Sequence, residues 1–208
     1  MLVFVRAPVR GAVKTRLAAA IGPDAALRVY RRLAEHAVAA ALPLAPAARV
    51  HVHYTPHDAR DAVAAWLGAD AEYHPQAGGD LGDRLRAAFE HAFAAGAGRV
   101  VVIGSDLPDL TADHLRRAFR LLVDAPAVLG PARDGGYWLL GLRRPVPEVF
   151  DGIPWSTGEV FARTAERLHA AGMEPALLDE LADVDEAADL PPGWRAWSAD
   201  GEGGGGGA

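Results

Sequence analysis

Residues 2–17 read LVFVRAPVRGAVKTRL, and the rest of the fold is expected to build on this stretch. The apolar run from Leu2 to Val5 is typical of a buried strand, and Pro8 to Gly11 predict the loop that ends it. A helix is expected to begin near Lys14. A strand followed by a loop and a helix N-terminus favours anion binding, because unpaired backbone N–H groups and the positive end of the helix dipole face the ligand.

This opening stretch is strongly basic. No carboxylate precedes Asp24, although the formal net charge of the 208-residue chain is −6. The basic side chains are those of Arg6, Arg10, Lys14 and Arg16. Lys14 is the only lysine among 21 basic residues, which favours a chemical role for a compact ammonium group at this position. The alternative is that these side chains are solvated charges beside a strand. Val13 stands where a Walker A loop needs glycine, which argues against that motif.

Composition excludes several classes of function. The chain has no cysteine, so it has no disulfides, thiolate metal sites or cysteine nucleophile. A pI near 5.7 argues against the broad basic face that nucleic-acid binding needs. No apolar run reaches the length of a signal core or a membrane span. We therefore expect a cytoplasmic protein with neither a nucleic acid nor a membrane as partner.

Strands are predicted to alternate with helices along the chain. Apolar runs predict strands over 2–5, 49–54, 71–74, 99–103, 127–130, 137–142 and 175–178. Between them, Thr55 and the segment from Ser156 to Glu159 are expected to cap two of the helices. This alternation favours an α/β doubly wound, largely parallel sheet. The spacing between Gly130 and Tyr137 is too short for a helical crossover, so one strand there is expected to run antiparallel.

We expect one domain over residues 1–197. From Ser198 onward the sequence SADGEGGGGGA has nothing to bury, so the tail 198–208 is expected to be disordered.

Three loops are expected at the carboxyl ends of strands, where open α/β sheets bind their ligands. They cover residues 10–16, 104–109 and 134–136. Basic groups in one loop and carboxylates in the others suit a phosphate held through a hard cation such as Mg²⁺. Asp106 ends the most apolar strand and is the best candidate ligand, whereas Asp109 fits a helix approach equally well. From spacing alone, Asp183 and Asp185 are better explained as helix caps.

Two further sets of polar side chains have open interpretations. Gln76 precedes a glycine-rich loop and either bonds a nucleobase edge or belongs to an ordinary turn. Strand alternation sends His51 and His53 to the same face, with His57 just beyond. A metal site made of these three histidines is one alternative, and solvated or partly buried histidines are the commoner outcome.

Six separated motifs resemble those of a known family. They are VRAPVRGAVKTRL (5–17), QAGGDLGDRL (76–85), VVVIGSDLPDLTADHL (100–115), GPARDGGYWLLGL (130–142), IPWST (153–157) and DVDEAADL (183–190). The set resembles small bacterial GT-A-like proteins described as nucleotide-diphospho-sugar transferases, including arsenosugar-biosynthesis glycosyltransferases. That family is similar to guanylyltransferases that load phospholactate in deazaflavin cofactor synthesis. The resemblance implies a GT-A/Rossmann-like three-layer sandwich with a mostly parallel mixed sheet, nucleotide binding, and Mg²⁺ or Mn²⁺ as cofactor.

The resemblance also implies roles for individual residues. Lys14 and Arg16 would contact the nucleotide phosphates, and Asp106 would be the metal-binding carboxylate. Gly104 occupies the first position of the usual Asp-x-Asp pair, so Asp185 is the implied second metal ligand. The implied nucleotide-binding set is Arg6, Gly11, Lys14, Arg16, Gln76, Ser105 and Asp106.

The acceptor side is implied to lie in the segments 130–142 and 153–157. Asp134 would act as a base, and Asp134-Gly135 is also a favoured hairpin turn. Trp155 would line the pocket, although a tryptophan ahead of a helix is more often a packing anchor. The implied acceptor set is Asp134, Gly135, Gly136, Tyr137, Trp155 and Ser156.

Three functions are compatible with these observations. The first is a metal-dependent transferase that binds a nucleoside-diphosphate sugar and passes the glycosyl group to a small acceptor, with Lys14 and Asp134 as catalytic residues. The second is a guanylyltransferase-like nucleotidyltransferase, in which a nucleoside triphosphate is attacked at its α-phosphate and pyrophosphate leaves. The third is a non-catalytic, nucleotide-binding regulatory protein, which the missing Asp-x-Asp pair favours.

Overall fold

A computed structural model describes residues 1–194 of the chain. The predicted disordered tail, 198–208, and the last residues of the predicted domain lie outside this range. No helix within it combines the length and the apolar character needed to cross a membrane.

The strands and helices of residues 1–194 alternate as the sequence pattern predicts. The strands are β1 (Leu2–Arg6), β2 (His51–Thr55), β3 (Glu72–Pro75), β4 (Val100–Ile103), β5 (Ala127–Pro131), β6 (Tyr137–Leu142) and β7 (Pro175–Leu177). The α-helices are α1 (Thr15–Ile21), α2 (Pro23–Ala41), α3 (Arg60–Leu67), α4 (Leu81–Ala94), α5 (Ala112–Leu121) and α6 (Val160–Ala170). Short 3₁₀ helices cover Leu42–Leu44, Pro147–Phe150 and Ala187–Asp189.

All seven strands form one sheet, in the order β3-β2-β1-β4-β6-β5-β7. β6 runs antiparallel to both of its neighbours, while the other pairs are parallel. This confirms the antiparallel strand predicted from the short connection between β5 and β6. The chain adds β2 and β3 on one side of β1 and then returns to place β4 on the other side. The carboxyl ends of β1 and β4 therefore flank a topological switch point, where ligands of such sheets bind.

Helices cover both faces of the sheet and make a three-layer sandwich. On one face, α2, α3 and α5 bury side chains such as Ala34, Val63 and Leu115 against the sheet. On the other face, α4, α6 and the 3₁₀ helix Pro147–Phe150 pack against residues such as Leu140. Leu2 and Val3 belong to different clusters because successive strand residues point to opposite faces.

A smaller apolar cluster fixes the C-terminal part of the described chain beside α1. Leu17 of α1, Leu33 of α2 and Val184 are fully buried in it, and Leu190 closes it. The two residues that flank Val184, Asp183 and Asp185, are thereby held near the start of α1.

Two predicted helix caps are wrong, although the helices exist. Thr55 is the last residue of β2, where it pairs with Arg6, and α3 begins at Arg60. Ser156 has a positive φ of 65° in a turn, and α6 begins at Val160 without a side-chain cap. In both places a turn lies between the predicted cap and the first residue of the helix.

Candidate active site

A cleft of about 430 Å³ opens at the carboxyl ends of β1 to β4, which is the switch point of the sheet. Its walls come from the loop after β1, the residues after β3 and β4, the first turn of α4 and a C-terminal residue. The polar residues of its lining include Arg6, Lys14, Arg16, Tyr30, Gln76, Arg84, Ser105, Asp106 and Asp185. The loops predicted to meet after β1 and β4 therefore do meet.

Lys14 joins three segments that are distant in sequence. Its Nζ atom lies 2.9 Å from Asp106 Oδ2 and 2.9 Å from Asp185 Oδ1. The backbone of Lys14 is left-handed, with φ 47° and ψ 50°, and it forms the N-cap of α1. This conformation is uncommon for a residue with a side chain, and such strain concentrates at functional sites.

The Lys14 ammonium is buried and remains charged. Its side chain is only 5% exposed. Burial lowers the pKa of Lys14, but the charges of Asp106 and Asp185 and the hydrogen bonds to both outweigh it, so the net pKa is raised. A fixed positive charge therefore sits in the cleft at neutral pH.

The carboxylate of Asp106 fits a cation ligand. Its Oδ2 atom contacts Lys14, while its Oδ1 atom is buried and has no hydrogen-bond partner among residues 1–194. A buried, unpartnered carboxylate oxygen is costly, and a bound cation would satisfy it. The backbone carbonyl of Asp106 accepts a hydrogen bond from Val184 N at 3.0 Å, which brings Asp185 alongside.

The other basic side chains of the opening stretch separate into two groups. Arg6 and Arg16 line the cleft, and Arg16 is 3.9 Å from Asp185. Arg10 instead pairs with Asp24 at 2.6 Å, on an exposed part of the surface. Gly11, with φ 76°, shapes the turn that leads into the cleft without being one of its lining residues.

Gln76 and Tyr30 hold the cleft wall through backbone groups. Gln76 Nε2 donates hydrogen bonds to the carbonyls of Val5 and His53, so its carbonyl oxygen is the part left for a ligand. The Tyr30 hydroxyl accepts a hydrogen bond from Arg6 N at 2.6 Å and donates one to Arg6 O at 2.7 Å. Burial raises the pKa of Tyr30 to about 12.

The implied acceptor residues lie beside the cleft and are not part of its lining. Asp134 is exposed, and its Oδ1 accepts a hydrogen bond from Gly136 N, so the predicted turn is present. Asp134 is also close enough to contribute, after burial, to the raised pKa of Asp183. Asp134 therefore lies near Asp183, which is two positions from the cleft residue Asp185 in the chain.

The aromatic pair of the acceptor set packs against α4. Trp155 and Tyr137 make an edge-to-face contact at 6.5 Å. A Cβ added to Gly82 would lie 2.6 Å from Trp155 Nε1, so the indole covers the first turn of α4 directly. Trp155 therefore packs on the first turn of α4, which also carries Leu81, a residue that lines the cleft. Ser156 is exposed in the turn before α6.

Sequence reasoning missed Arg84 and Tyr30 in the cleft. Arg84 follows the glycine loop in the first turn of α4, and its Nε donates a hydrogen bond to Gly79 O. Its position after a glycine-rich loop is the signal that would have found it. Tyr30 lies on the apolar face of α2, so the hydrophobic periodicity predicts a core residue. It gives no signal that Tyr30 also lines the cleft.

Comparisons with known proteins find two curated relatives of this chain. A phosphoenolpyruvate guanylyltransferase of Chloroflexus aggregans is 31% identical over 176 residues, which cover 83% of this chain and 87% of that protein. A 2-phospho-L-lactate guanylyltransferase of Methanopyrus kandleri is 36% identical over 98 residues, covering 45% of this chain and 48% of that one.

A solved structure gives the same result for the fold. A protein of Desulfovibrio desulfuricans G20, provisionally assigned as a nucleotide-diphospho-sugar transferase, superposes with a TM-score of 0.82 at 38% identity. The match covers 89% of this chain and 81% of that one. The GT-A/Rossmann-like fold expected from the motifs is confirmed. Residues 38–157 match a family described as "Uncharacterized protein conserved in bacteria (DUF2064)". The chain belongs to this DUF2064 family.

Proposed function

We propose that this chain is a nucleotidyltransferase that joins a nucleoside monophosphate unit to a small anionic acceptor and releases pyrophosphate. The observation that carries the proposal is the buried ammonium of Lys14, held 2.9 Å from the carboxylates of Asp106 and Asp185 in a cleft at the switch point. The two guanylyltransferase relatives support it.

The reaction is an in-line exchange at phosphorus. An anionic oxygen of the acceptor forms a bond to the α-phosphorus of a nucleoside triphosphate. The bond from that phosphorus to the oxygen bridging to the β-phosphate breaks, and pyrophosphate leaves with the electron pair. Negative charge develops on the leaving group, so fixed positive groups stabilise the transition state more than the ground state.

The basic side chains of the cleft supply these fixed charges. The buried ammonium of Lys14 contacts the β- and γ-phosphates, and Arg6, Arg16 and Arg84 surround the triphosphate. Gln76 offers its carbonyl oxygen to a nucleobase edge, and Ser105 donates to a phosphate oxygen. Gly11 gives the loop the turn that lets its backbone approach the ligand.

Asp106 and Asp185 would hold a divalent cation, Mg²⁺ or Mn²⁺. The unpartnered Oδ1 of Asp106 and the carboxylate of Asp185 supply the oxygen ligands that such ions prefer. When bound, the ion supplies charge neutralisation at the phosphates. Asp134, Gly135, Gly136, Tyr137, Trp155 and Ser156 form the acceptor side of the proposal.

A second candidate is transfer of a glycosyl group from a nucleoside-diphosphate sugar. It is favoured by the 38% identical Desulfovibrio relative, which is provisionally assigned to that class. Here a nucleoside diphosphate leaves from the sugar carbon, and Asp134 takes the proton of an acceptor hydroxyl.

Identification of the leaving group distinguishes the two candidates. The purified chain is incubated with Mg²⁺, phosphoenolpyruvate or 2-phospholactate, and each of the four nucleoside triphosphates, and pyrophosphate is measured by a coupled assay. A parallel set uses nucleoside-diphosphate sugars and measures the nucleoside diphosphate. Pyrophosphate release that depends on the acceptor supports the proposal. Release of nucleoside diphosphate from the sugar conjugates alone overturns it in favour of glycosyl transfer.

A further inference from the structure

A second cluster of polar side chains lies at the other end of the sheet, near the amino ends of β2 and β3. His51 Nδ1 lies 3.1 Å from His74 Nε2. Glu72 Oε2 lies 3.6 Å from the His51 nitrogen and 3.8 Å from the His74 nitrogen. One potential ligand atom from each of the three residues therefore lies within 4.8 Å of the other two.

Strand pairing explains why these side chains converge. In the parallel ladder between β2 and β3, His51 pairs with Glu72 and His53 pairs with His74. Residues two apart on a strand point to the same face, so the paired residues share one face of the sheet. β3 is an edge strand, so contacts across this pair are what attach it to the sheet.

The separations match the first coordination sphere of a tetrahedral metal. With metal–ligand distances of about 2.0–2.1 Å, neighbouring ligands of tetrahedral Zn²⁺ are about 3.3 Å apart. The three observed separations, 3.1, 3.6 and 3.8 Å, bracket that value.

Partial burial and ring stacking restrict the two imidazoles, and a cavity lies beside them. The His51 and His74 side chains are 23% and 29% exposed, so both rings are partly buried. The ring of His53 stacks on His74 at 5.4 Å and on Phe4 at 5.3 Å. These stacks limit the orientations of His74. A cavity of about 510 Å³ beside the cluster leaves room for a water molecule as a further ligand.

We propose that His51, Glu72 and His74 form a binding site for a divalent transition-metal ion of the Zn²⁺ class, with one coordination position open to water. Two imidazoles and one carboxylate are a ligand set that Zn²⁺ commonly takes, whereas Mg²⁺ prefers oxygen ligands. The ion replaces the hydrogen that the two facing ring nitrogens otherwise share. It is separate from the cation proposed at Asp106 and Asp185, and it joins the edge strand β3 to β2.

Metal binding is tested on the full-length chain, freed of metal with a chelator. Zn²⁺ is titrated in the presence of excess Mg²⁺, with binding followed by calorimetry, and Co²⁺ is used as a spectroscopic substitute. We expect one Zn²⁺ per chain at this site and a Co²⁺ spectrum typical of tetrahedral coordination. Loss of a residue that hydrogen-bonds to a metal ligand costs about 10–100-fold in affinity, so His51→Gln and His74→Gln, which remove direct ligands, should each cost at least about 100-fold. Glu72→Gln is expected to cost less.

The matched control is His169→Gln. His169 Nε2 lies 3.0 Å from Glu174 Oε2, so it forms an exposed His–Glu pair that lacks the second imidazole. This variant should bind Zn²⁺ as the wild type does. The Asp106→Asn, Asp185→Asn double variant should also keep the site, so failure of the proposed catalytic function leaves this result unaffected.

A readout on the wild-type chain does not depend on how the variants fold. Addition of one equivalent of Zn²⁺ should shift the imidazole carbon-bound proton resonances of His51 and His74 in NMR spectra and leave those of His169 unchanged. The proposal is overturned if Zn²⁺ binds equally well to the wild type and to both histidine variants, or if these two histidines do not respond to the metal.

Discussion

Lys14 Nζ lies 2.9 Å from Asp185 Oδ1, although the two residues are 171 positions apart in the chain. The apolar cluster beneath them makes this contact possible, because Leu17 and Val184 are buried together. Each is a close sequence neighbour of one of the charged residues. The charged groups of the cleft are therefore positioned by a small hydrophobic core as well as by the strand ends.

Replacement of Lys14 should remove most of the activity. Lys14→Met keeps the length of the side chain and loses its charge, so the leaving pyrophosphate loses its buried ammonium. Loss of one such preorganised group costs about 10²–10³-fold in rate. The rate of pyrophosphate release is the measurement. Arg10→Ala is the control, because Arg10 belongs to the same stretch but pairs with Asp24 on the surface. An active Lys14→Met enzyme would show that the phosphates bind elsewhere.

The two carboxylates should control the need for a divalent cation. Asp106→Asn and Asp185→Asn each remove a negative oxygen ligand, so the Mg²⁺ concentration that gives half of the maximal rate should rise by about tenfold or more. The measurement is the rate of product formation across a Mg²⁺ titration. Asp109→Asn is the control, since Asp109 is exposed three positions further on. Equal Mg²⁺ dependence in all three variants would contradict the assignment.

Asp134→Asn separates the two candidate reactions. Asn keeps an oxygen that accepts the hydrogen bond from Gly136 N, so the turn is preserved. A phosphate monoester is already ionised at pH 7, because its second pKa is about 6, and needs no base. Nucleotidyl transfer to such an acceptor should therefore slow by less than about tenfold, whereas loss of a general base would cost about 10²–10⁴-fold. Single-turnover rates measure the difference.

Tyr30 should make the free energy of unfolding fall at alkaline pH. Burial raises its pKa from 10.0 to about 12, so the folded state prefers the neutral phenol. Its contribution to the free energy of unfolding is fully present below pH 10, where the phenol is neutral in both states. It is lost as the pH rises from 10 toward 12, because the unfolded chain ionises first.

Urea unfolding of wild type and Tyr30→Phe between pH 8 and 11.5 checks this contribution. At pH 8 the variant should be less stable by about 1–3 kcal/mol, because Arg6 N loses its hydrogen-bond acceptor. The difference between the two proteins should shrink as the pH rises. A difference that stays constant up to the highest pH would show that Tyr30 does not titrate differently in the two states.

The sequence alone determined the α/β alternation and most strand positions. The run RVVVI before Gly104 and the run LVFV after Met1 are too apolar and β-branched for any exposed segment, so their burial follows from composition. The short connection before Tyr137 likewise required an antiparallel strand. Helix starts were less predictable, because Thr and Ser also occur at strand ends and in turns, as Thr55 at the end of β2 and Ser156 in a turn do.

Only the tertiary structure decided which polar groups meet. The rule that ligands bind at carboxyl strand ends was enough to place Lys14 near Asp106, but spacing alone explained Asp185 as a helix cap. Its place beside Lys14 depends on the buried contacts of Val184. The pairing of His51 and Glu72 depends on the register of β2 and β3, which strand patterns do not specify. Local sequence determines which segments are buried, whereas contacts between distant residues depend on how these segments pack.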